Sequence, residues 1–334
     1  MEGNNTAETI LEFKDVCVEY HTVDKEVFAV NGVTLTLNRG ESLGIVGETG
    51  AGKTTLALAI MGLLPKGIGE VTGGEIFFEG TAMSELSESQ MREIRGKKIG
   101  MIFQDPMTSL NPIFTVGKQI EEVLRLHNVP ADEIDARVDE MLALVGIEPS
   151  RKVCYPHQFS GGMKQRIVIA MALACNPNLL IADEPTTALD VTIQAQVLTI
   201  IDDLQQKLGT STIMITHDFG VVAETCDKVA IMYAGEIVEY GTLEQVFDKS
   251  LHHHPYTTGL MNSIPDINME KKRLDPIPGL TPNPSNLPSG CYFSPRCPHC
   301  TELCRRQAAA SITFEKGKII KCHLYDIDRM GEEV

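Results

Sequence analysis

The residues of this chain best suited to chemistry lie in Gly47-Glu48-Thr49-Gly50-Ala51-Gly52-Lys53-Thr54, which matches the pattern G-x-x-x-x-G-K-S/T at every fixed position. Glycines let such a loop curl until successive backbone N–H groups point inward, and a following helix adds the positive end of its dipole. Together they hold phosphate oxygens. Lys53 has the reach for the β- and γ-phosphates of a nucleoside triphosphate, and the Thr54 hydroxyl can ligate Mg2+. Asp183, 130 residues after Lys53, follows the apolar run Leu179-Leu180-Ile181-Ala182. A carboxylate at such a strand tip can orient Mg2+. Glu184 beside it is suited to polarise an attacking water as general base. The chemistry these residues could do is transfer of a γ-phosphoryl group to water.

The elements that position them are legible in the apolar pattern. Glu41-Ser42-Leu43-Gly44-Ile45-Val46 predicts a buried strand before the loop, and Thr54-Thr55-Leu56-Ala57-Leu58-Ala59-Ile60-Met61 a helix after it. Asn178 to Ala182 and Ser211 to Thr216 predict two further strands, ending at Asp183-Glu184 and at His217. Residues 115–150 carry helical spacing instead. Strand and helix alternate from residue 8 to about 248, the rhythm of an α/β fold with a doubly wound parallel sheet, whose ligands bind where strands end. Beyond Leu251 proline recurs, in His254-Pro255, Ile264-Pro265, Asp275-Pro276, Ile277-Pro278 and Thr281-Pro282-Asn283-Pro284. Proline fixes φ and removes a backbone donor, so a linker or extended wrap is expected there rather than a helix. The expected organisation is a main domain over 1–250, with a helical subdomain at about 107–172, a linker over 251–288 and a cysteine-bearing tail over 289–334. The run Leu251-His252-His253-His254 reads as solvated linker.

Charge and composition narrow the function classes. With 29 Lys+Arg against 45 Asp+Glu the net charge is −16, the opposite of a chain bound to nucleic acid through its overall field. The longest wholly apolar run, Ile167 to Cys175, is nine residues, where a membrane span needs about 20. Met1-Glu2-Gly3-Asn4-Asn5 lacks the basic stretch and apolar core of a signal peptide. Nine cysteines with no export signal point to thiols, metal ligands or an iron–sulfur site rather than disulfides. Cys17, Cys154, Cys175 and Cys226 sit in dispersed apolar contexts and read as core residues.

Further motifs follow in order. Ser160-Gly161-Gly162-Met163-Lys164-Gln165 resembles the signature sequence of ATP-binding-cassette ATPases, with methionine where glutamine is commonest. Phe103-Gln104 resembles their glutamine loop, Ala188-Leu189-Asp190 their D-loop and Ile215-Thr216-His217 their switch histidine. This resemblance covers residues 8–248. It implies that Gly47 through Thr55 bind ATP, that Thr54, Gln104 and Asp183 hold Mg2+, and that Glu184, His217 and Gln104 serve hydrolysis. It also implies a head-to-tail pair of cassettes, in which Ser160, Gly161 and Gly162 close over ATP held by the partner and Asp190 lies nearby. The physics is consistent: a serine and two glycine N–H groups opening a helix make a second anion site. Tyr20 matches the aromatic that stacks on adenine. Phe28 is its rival, because residues 21–27 read as an insertion.

Phe103-Gln104-Asp105-Pro106-Met107-Thr108-Ser109-Leu110-Asn111-Pro112 is more particular. It resembles the ATPases of bacterial dipeptide and oligopeptide importers, a group that includes nickel importers. Phe159, the phrase Met232 to Glu239 and His254-Pro255-Tyr256-Thr257 resemble the same group. The resemblance implies peptide import, or import of a nickel chelate or similar solute. Its partners would be a second ATPase subunit, most simply a paralogue, two transmembrane permease subunits and an extracellular solute-binding protein. The chain would sit on the cytoplasmic face of the membrane as a peripheral subunit, its helical region after Gln104 against the permease. A soluble cassette of DNA repair or translation would need a long coiled-coil insertion or a second cassette, yet only 55 residues separate Gln104 from Ser160. Cys291, Cys297, Cys304 and Cys322 match positions that in some members ligate a 4Fe-4S cluster, and four thiolates suit one. The alternatives are a four-cysteine zinc site and a plain thiol core, with Cys300 as a competing third ligand. The expectation is an iron–sulfur tail with a structural role.

Overall fold

The computed structural model describes residues 8–187, 189–263 and 276–326. Met1 to Asn5, Ala188, Ile264-Pro265 and Asp275, which figure in the sequence reading, lie outside the described residues. The chain forms two compact units, each discontinuous in sequence. One comprises the residues up to Glu12, Thr36–Ser42 and Phe77–Ile215; the other comprises Phe13–Leu35, Leu43–Ile76 and the residues from Thr216 onward.

In the first unit three strands run parallel. Ile99–Ile102 pairs with Leu179–Asp183, Ile99 opposite Leu179, and that strand pairs with Ser211–Thr216, Leu179 opposite Ser211. Every residue of Leu179–Asp183 and of Ser211–Thr216 is buried. The apolar runs Leu179–Ala182 and Ile213–Ile215 suit parallel strands covered on both faces, which is why both could be read from sequence. The helix Gly161–Leu173 leads into Leu179–Asp183. Val191–Leu208 forms the crossover to Ser211–Thr216 and stops at Gly209, whose φ of 66° closes the helix in the left-handed region. Residues 115–150 are helical as expected. Thr115 caps Val116–Leu126, and Ala131–Leu144 buries Ile134, Val138, Met141 and Leu142, one stripe of an amphipathic helix.

In the second unit Ser42–Val46, all five residues buried, runs parallel to Lys228–Tyr233. Lys228–Tyr233 turns back on Glu236–Thr242 through Ala234-Gly235, whose φ angles of 46° and 86° are those of the two-residue turn that suits the twist of paired strands. Thr9–His21 and Glu26–Asn38 are joined by a tight turn in which the Thr22 N–H bonds the Lys25 carbonyl at 2.9 Å. The 21–27 segment is thus a hairpin tip.

The C-terminal region departs from expectation. Ile319–Lys321 pairs antiparallel with Glu236–Thr242, Glu239 opposite Ile320, and Ser311–Thr313 pairs with Ile319–Lys321. The segment read as a separate cysteine tail therefore contributes strands to the sheet that carries the phosphate loop. The proline-rich stretch is not wholly extended either. Pro255 opens the helix Pro255–Asn262 from its first turn, where a missing N–H costs nothing, and His254 Nδ1 caps it by accepting the Tyr256 N–H at 3.1 Å.

The histidine run is not solvated linker. His253 is 6% exposed, His254 1% and Glu239 0%. Glu239 explains it. Its Oε2 accepts the His254 backbone N–H at 2.8 Å, and its Oε1 lies 2.8 Å from His253 Nδ1 and 3.0 Å from Lys318 Nζ. His253 Nε2 donates to the Asp248 carbonyl at 2.8 Å, and Lys318 Nζ donates to the carbonyls of Gln245 at 2.9 Å and His252 at 2.6 Å. A buried carboxylate is tolerable only when paired and hydrogen-bonded. These partners draw residues 245–254 and 318 around one strand position.

Acid should loosen this region in two successive steps. Burial pushes the His254 imidazole down from 6.5 to about 4. The unfolded chain then binds a proton that the folded chain refuses, so stability present above pH 6.5 is lost as pH falls towards 4, on the order of 3 kcal/mol. Burial alone would raise the Glu239 carboxyl, but the His253 hydrogen bond and the Lys318 ammonium outweigh it and hold it below 4.5. Its contribution is present above pH 4.5 and is lost below. We expect His254→Asn, which keeps a capping acceptor, to flatten the fall in melting temperature between pH 7 and 4. An unchanged slope would refute the assignment to His254.

Candidate nucleotide site

The phosphate loop is built in the second unit. It leaves the buried strand Ser42–Val46 at Gly47 and enters the helix Lys53–Ile60, with Gly50 at φ 82° and Gly52, the helix N-cap, at φ 101°. A Cβ at Gly47 would collide with the Met232 carbonyl, and one at Gly52 with the Ala29 carbonyl. Lys53 is 6% exposed, and its Nζ donates to the carbonyls of Gly47 at 2.7 Å and Glu48 at 3.1 Å. The ammonium thus staples the two ends of the loop together. The Ala51 N–H reaches the Glu48 carbonyl at 3.1 Å, and the Gly235 N–H reaches the Ala51 carbonyl at 2.9 Å. Thr49, Gly50 and Thr54 are exposed, so the Thr54 hydroxyl is open to a metal ion.

The Tyr20 hydroxyl donates to Thr55 Oγ1 at 3.1 Å, and its ring leaves no room for a Cβ at Gly69. Phe28, its rival, donates its backbone N–H to the Pro284 carbonyl at 3.0 Å. His217 is exposed just past the buried strand Ser211–Thr216. Asp218 beside it caps the helix Phe219–Thr225 by accepting the Gly220 N–H at 2.8 Å.

The carboxylates and the signature belong to the first unit. Asp183, 2% exposed, ends its buried strand. Glu184 follows at φ 47°, a left-handed conformation that costs a side-chain-bearing residue on the order of 1 kcal/mol. The turn is held because the Glu184 N–H donates to the Ile215 carbonyl at 2.8 Å. Its Oε2 accepts Gln104 Nε2 and the Thr187 hydroxyl, both at 2.9 Å. The structure therefore brings together Gln104 and Glu184, two residues 80 positions apart, and adds Thr187, which the sequence reading missed.

Ser160 caps the helix Gly161–Leu173, its side chain accepting the Met163 N–H at 3.4 Å. Gly161 has open space where a Cβ would stand, whereas Gly162 packs so closely on Ile193 that a Cβ would strike it. The first glycine leaves backbone exposed and the second permits close approach. Buried Gln165 donates Nε2 to the Pro185 carbonyl at 2.6 Å, tying the signature helix to the turn after Glu184. Asp190 caps Val191–Leu208 by accepting the Ile193 N–H at 3.0 Å. Arg151 lies over the Phe159 ring, 4.2 Å from its centroid, and bonds the Gln158 carbonyl at 3.0 Å, bracing the approach to Ser160.

The metal expectation for the tail does not hold. Among the described residues no group of three or more His, Cys, Asp or Glu is arranged to hold a metal ion. That corrects both the 4Fe-4S reading of Cys291, Cys297, Cys304 and Cys322 and its zinc alternative. Burial pushes the Cys291 thiol up to about 11 and Cys322 up to about 12, and it raises Cys297 as well. Of these cysteines Cys322 is buried, and Cys291, Cys297 and Cys304 are half-buried. The Cys291 N–H bonds the Cys304 carbonyl at 2.7 Å, and Cys304 Sγ meets the Thr301 hydroxyl at 3.2 Å. Of the dispersed cysteines, Cys226 is buried, while Cys17, Cys154 and Cys175 are only partly so.

Two side chains of the C-terminal region grip the phosphate loop, a contact that no local pattern in the sequence signals. Arg296 forms a two-pronged pair with the Glu48 carboxylate at 2.7 and 3.0 Å, and the Tyr256 hydroxyl accepts the Glu48 backbone N–H at 3.0 Å.

This geometry agrees with what the chain is similar to. Residues 30–187 match the family model described as ABC transporter, and residues 238–304 match that of the oligopeptide/dipeptide transporter, C-terminal region. A probable peptide ABC transporter ATP-binding protein, y4tR of Sinorhizobium fredii, is 48% identical over 96% of this chain and 97% of its own length. The oligopeptide transport ATP-binding protein OppD of Haemophilus influenzae is 49% identical, over 94% and 97%. Among solved structures, the ATP-binding cassette MJ0796, dimeric in a post-hydrolysis state with ADP and Pi, superposes with a TM-score of 0.63. It is 28% identical and covers 70% of this chain and 99% of its own. The chain belongs to the ABC transporter family, within it to the ATP-binding proteins of oligopeptide and dipeptide transporters.

Proposed function

We propose that this chain hydrolyses ATP to drive import of dipeptides and oligopeptides through a membrane complex. The observation that carries the solute class is that likeness to peptide transporters runs through the C-terminal region as well as the cassette. No helix among the described residues is long and apolar enough to cross a membrane; the likeness to peptide transporter ATP-binding proteins supports transmembrane permease partners. We assign it two permease subunits, a paralogous second cassette and an extracellular solute-binding protein, with the chain peripheral on the cytoplasmic face.

The backbone N–H groups of Gly47 through Thr55, with Lys53, cradle the phosphates, and Tyr20 stacks on adenine. The Thr54 hydroxyl, Asp183 and Gln104 hold Mg2+, which when bound neutralises charge on the phosphate oxygens. Glu184 orients and polarises the attacking water, and the Gln104 and Thr187 hydrogen bonds fix the direction of its carboxylate beforehand. His217 contacts the γ-phosphate. Ser160, Gly161 and Gly162 act across the cassette pair, with Asp190 near that interface. ATP binding closes the pair and hydrolysis reopens it, which biases the permease between two states.

Uptake of a labelled tripeptide by cells should depend on this chain. Glu184→Gln should retain ATP binding while lowering turnover by about 100-fold or more, and wild-type turnover in the assembled complex would remove Glu184 from the role of base. Ser160→Arg should impair hydrolysis of ATP held by the partner cassette. Equal rates for the isolated chain and the complex, untouched by the substitution, would exclude action across the pair. The two loop glycines separate strain from blocked space. Gly50→Ala meets only an unfavourable φ and should cost on the order of 1 kcal/mol, whereas Gly52→Ala also strikes the Ala29 carbonyl and should abolish ATP binding. Similar melting temperatures and affinities for the two variants would contradict that distinction.

A further inference from the structure

The second position of the phosphate loop carries an acid. A carboxylate there repels the polyanion that the loop is built to hold, so the charge of Glu48 must be answered from somewhere. Arg296 answers it with the two-pronged pair described above, a geometry that fixes direction as well as charge. Arg296 is itself locked in place. Its Nε donates to the Pro278 carbonyl at 3.0 Å, Nη2 to the Ile277 carbonyl at 3.4 Å and Nη1 to the Tyr233 hydroxyl at 3.4 Å, and its side chain is 5% exposed. The rings of Tyr233, Tyr256 and Phe293 pack on one another at centroid distances of 4.6 to 5.5 Å. Residue 48 is thus held at three points: its carboxylate by Arg296, its N–H by Tyr256 and its carbonyl by Lys53.

We infer that Arg296 is a positioning residue for ATP: by pairing with Glu48 it neutralises the acid of the phosphate loop and turns that side chain away from the phosphates, so that the C-terminal region sets nucleotide affinity. The hydrogen bond to Glu48 also raises the Arg296 pKa. The inference rests on residues 47–55 being the ATP site.

The test uses the full chain with Mg2+ and a fluorescent ATP analogue. Arg296→Gln keeps a donor for the carbonyls of residues 277 and 278 but removes the charge. It should raise Kd about tenfold at low salt, and the loss should shrink as ionic strength rises. Arg296→Lys keeps the charge and should retain most of the affinity. Adding Glu48→Gln to Arg296→Gln removes the stranded carboxylate and should bring Kd back to within about threefold of the unmodified chain. A merely structural hold by Arg296 gives no such rescue, and a double variant as weak as Arg296→Gln overturns the inference. So does an Arg296→Gln variant with unchanged, Lys53-dependent affinity. Binding that does not depend on Lys53 overturns the assignment of the ATP site itself, a different outcome readable in the same titration.

Discussion

A loop that grips a polyanion with its backbone must keep its N–H groups pointed inward and its carbonyls pointed away before the ligand arrives. That constraint organises much of what surrounds residues 47–53. Each carbonyl turned outward needs a donor, and buried donors come from two parts of the chain: Lys53 for Gly47 and Glu48, Gly235 for Ala51. The tight turn Ala234-Gly235 is therefore part of the loop's support as well as the tip of a hairpin. Preorganisation of this kind avoids reordering the backbone when nucleotide enters.

The same logic applies at Glu184. A residue with a side chain held at φ 47° and a carboxylate bonded by two neutral donors has its direction set by the fold rather than by substrate. The Gln104 amide and the Thr187 hydroxyl give that carboxylate its direction without themselves adding charge. Glu48 is held by a charged partner instead. There a guanidinium is used, because that carboxylate has to be silenced.

Legibility in the sequence followed burial pattern. Leu179–Asp183 and Ser211–Thr216 could be read because parallel strands covered on both faces carry apolar runs at their centres, Leu179–Ala182 and Ile213–Ile215, and the loop because its glycines and lysine stand at fixed spacing. The histidine run was misread because burying two imidazoles depends on Glu239 and Lys318, more than ten and more than sixty residues away, and nothing local to residues 251–254 signals them. The helix from Pro255 was missed because proline was weighed as a breaker rather than as a first-turn residue. The cysteines invited a metal because their number and softness suit one. Spacing alone does not say whether thiols will be buried and kept protonated. Arg296 stands in Pro295-Arg296-Cys297-Pro298, a stretch that resembles the peptide-importer ATPases, but nothing local to it signals its pairing with Glu48, 248 residues away. Thr187 was likewise invisible, since a threonine three residues after a glutamate acquires meaning only once the turn is folded.

The strand pairing of Glu236–Thr242 with Ile319–Lys321 has a consequence for synthesis on the ribosome. The partner strand begins 77 residues after Thr242, since 319 − 242 = 77. At roughly 5–20 residues per second that is an interval of about 4–15 s. Throughout it the N–H and C=O groups along that side of Glu236–Thr242 lack their partner strand, and Glu239 awaits Lys318. An unpaired strand edge is a template for pairing with other chains. The nascent polypeptide thus carries an open strand edge for seconds, a consequence of the order of the strands in the chain.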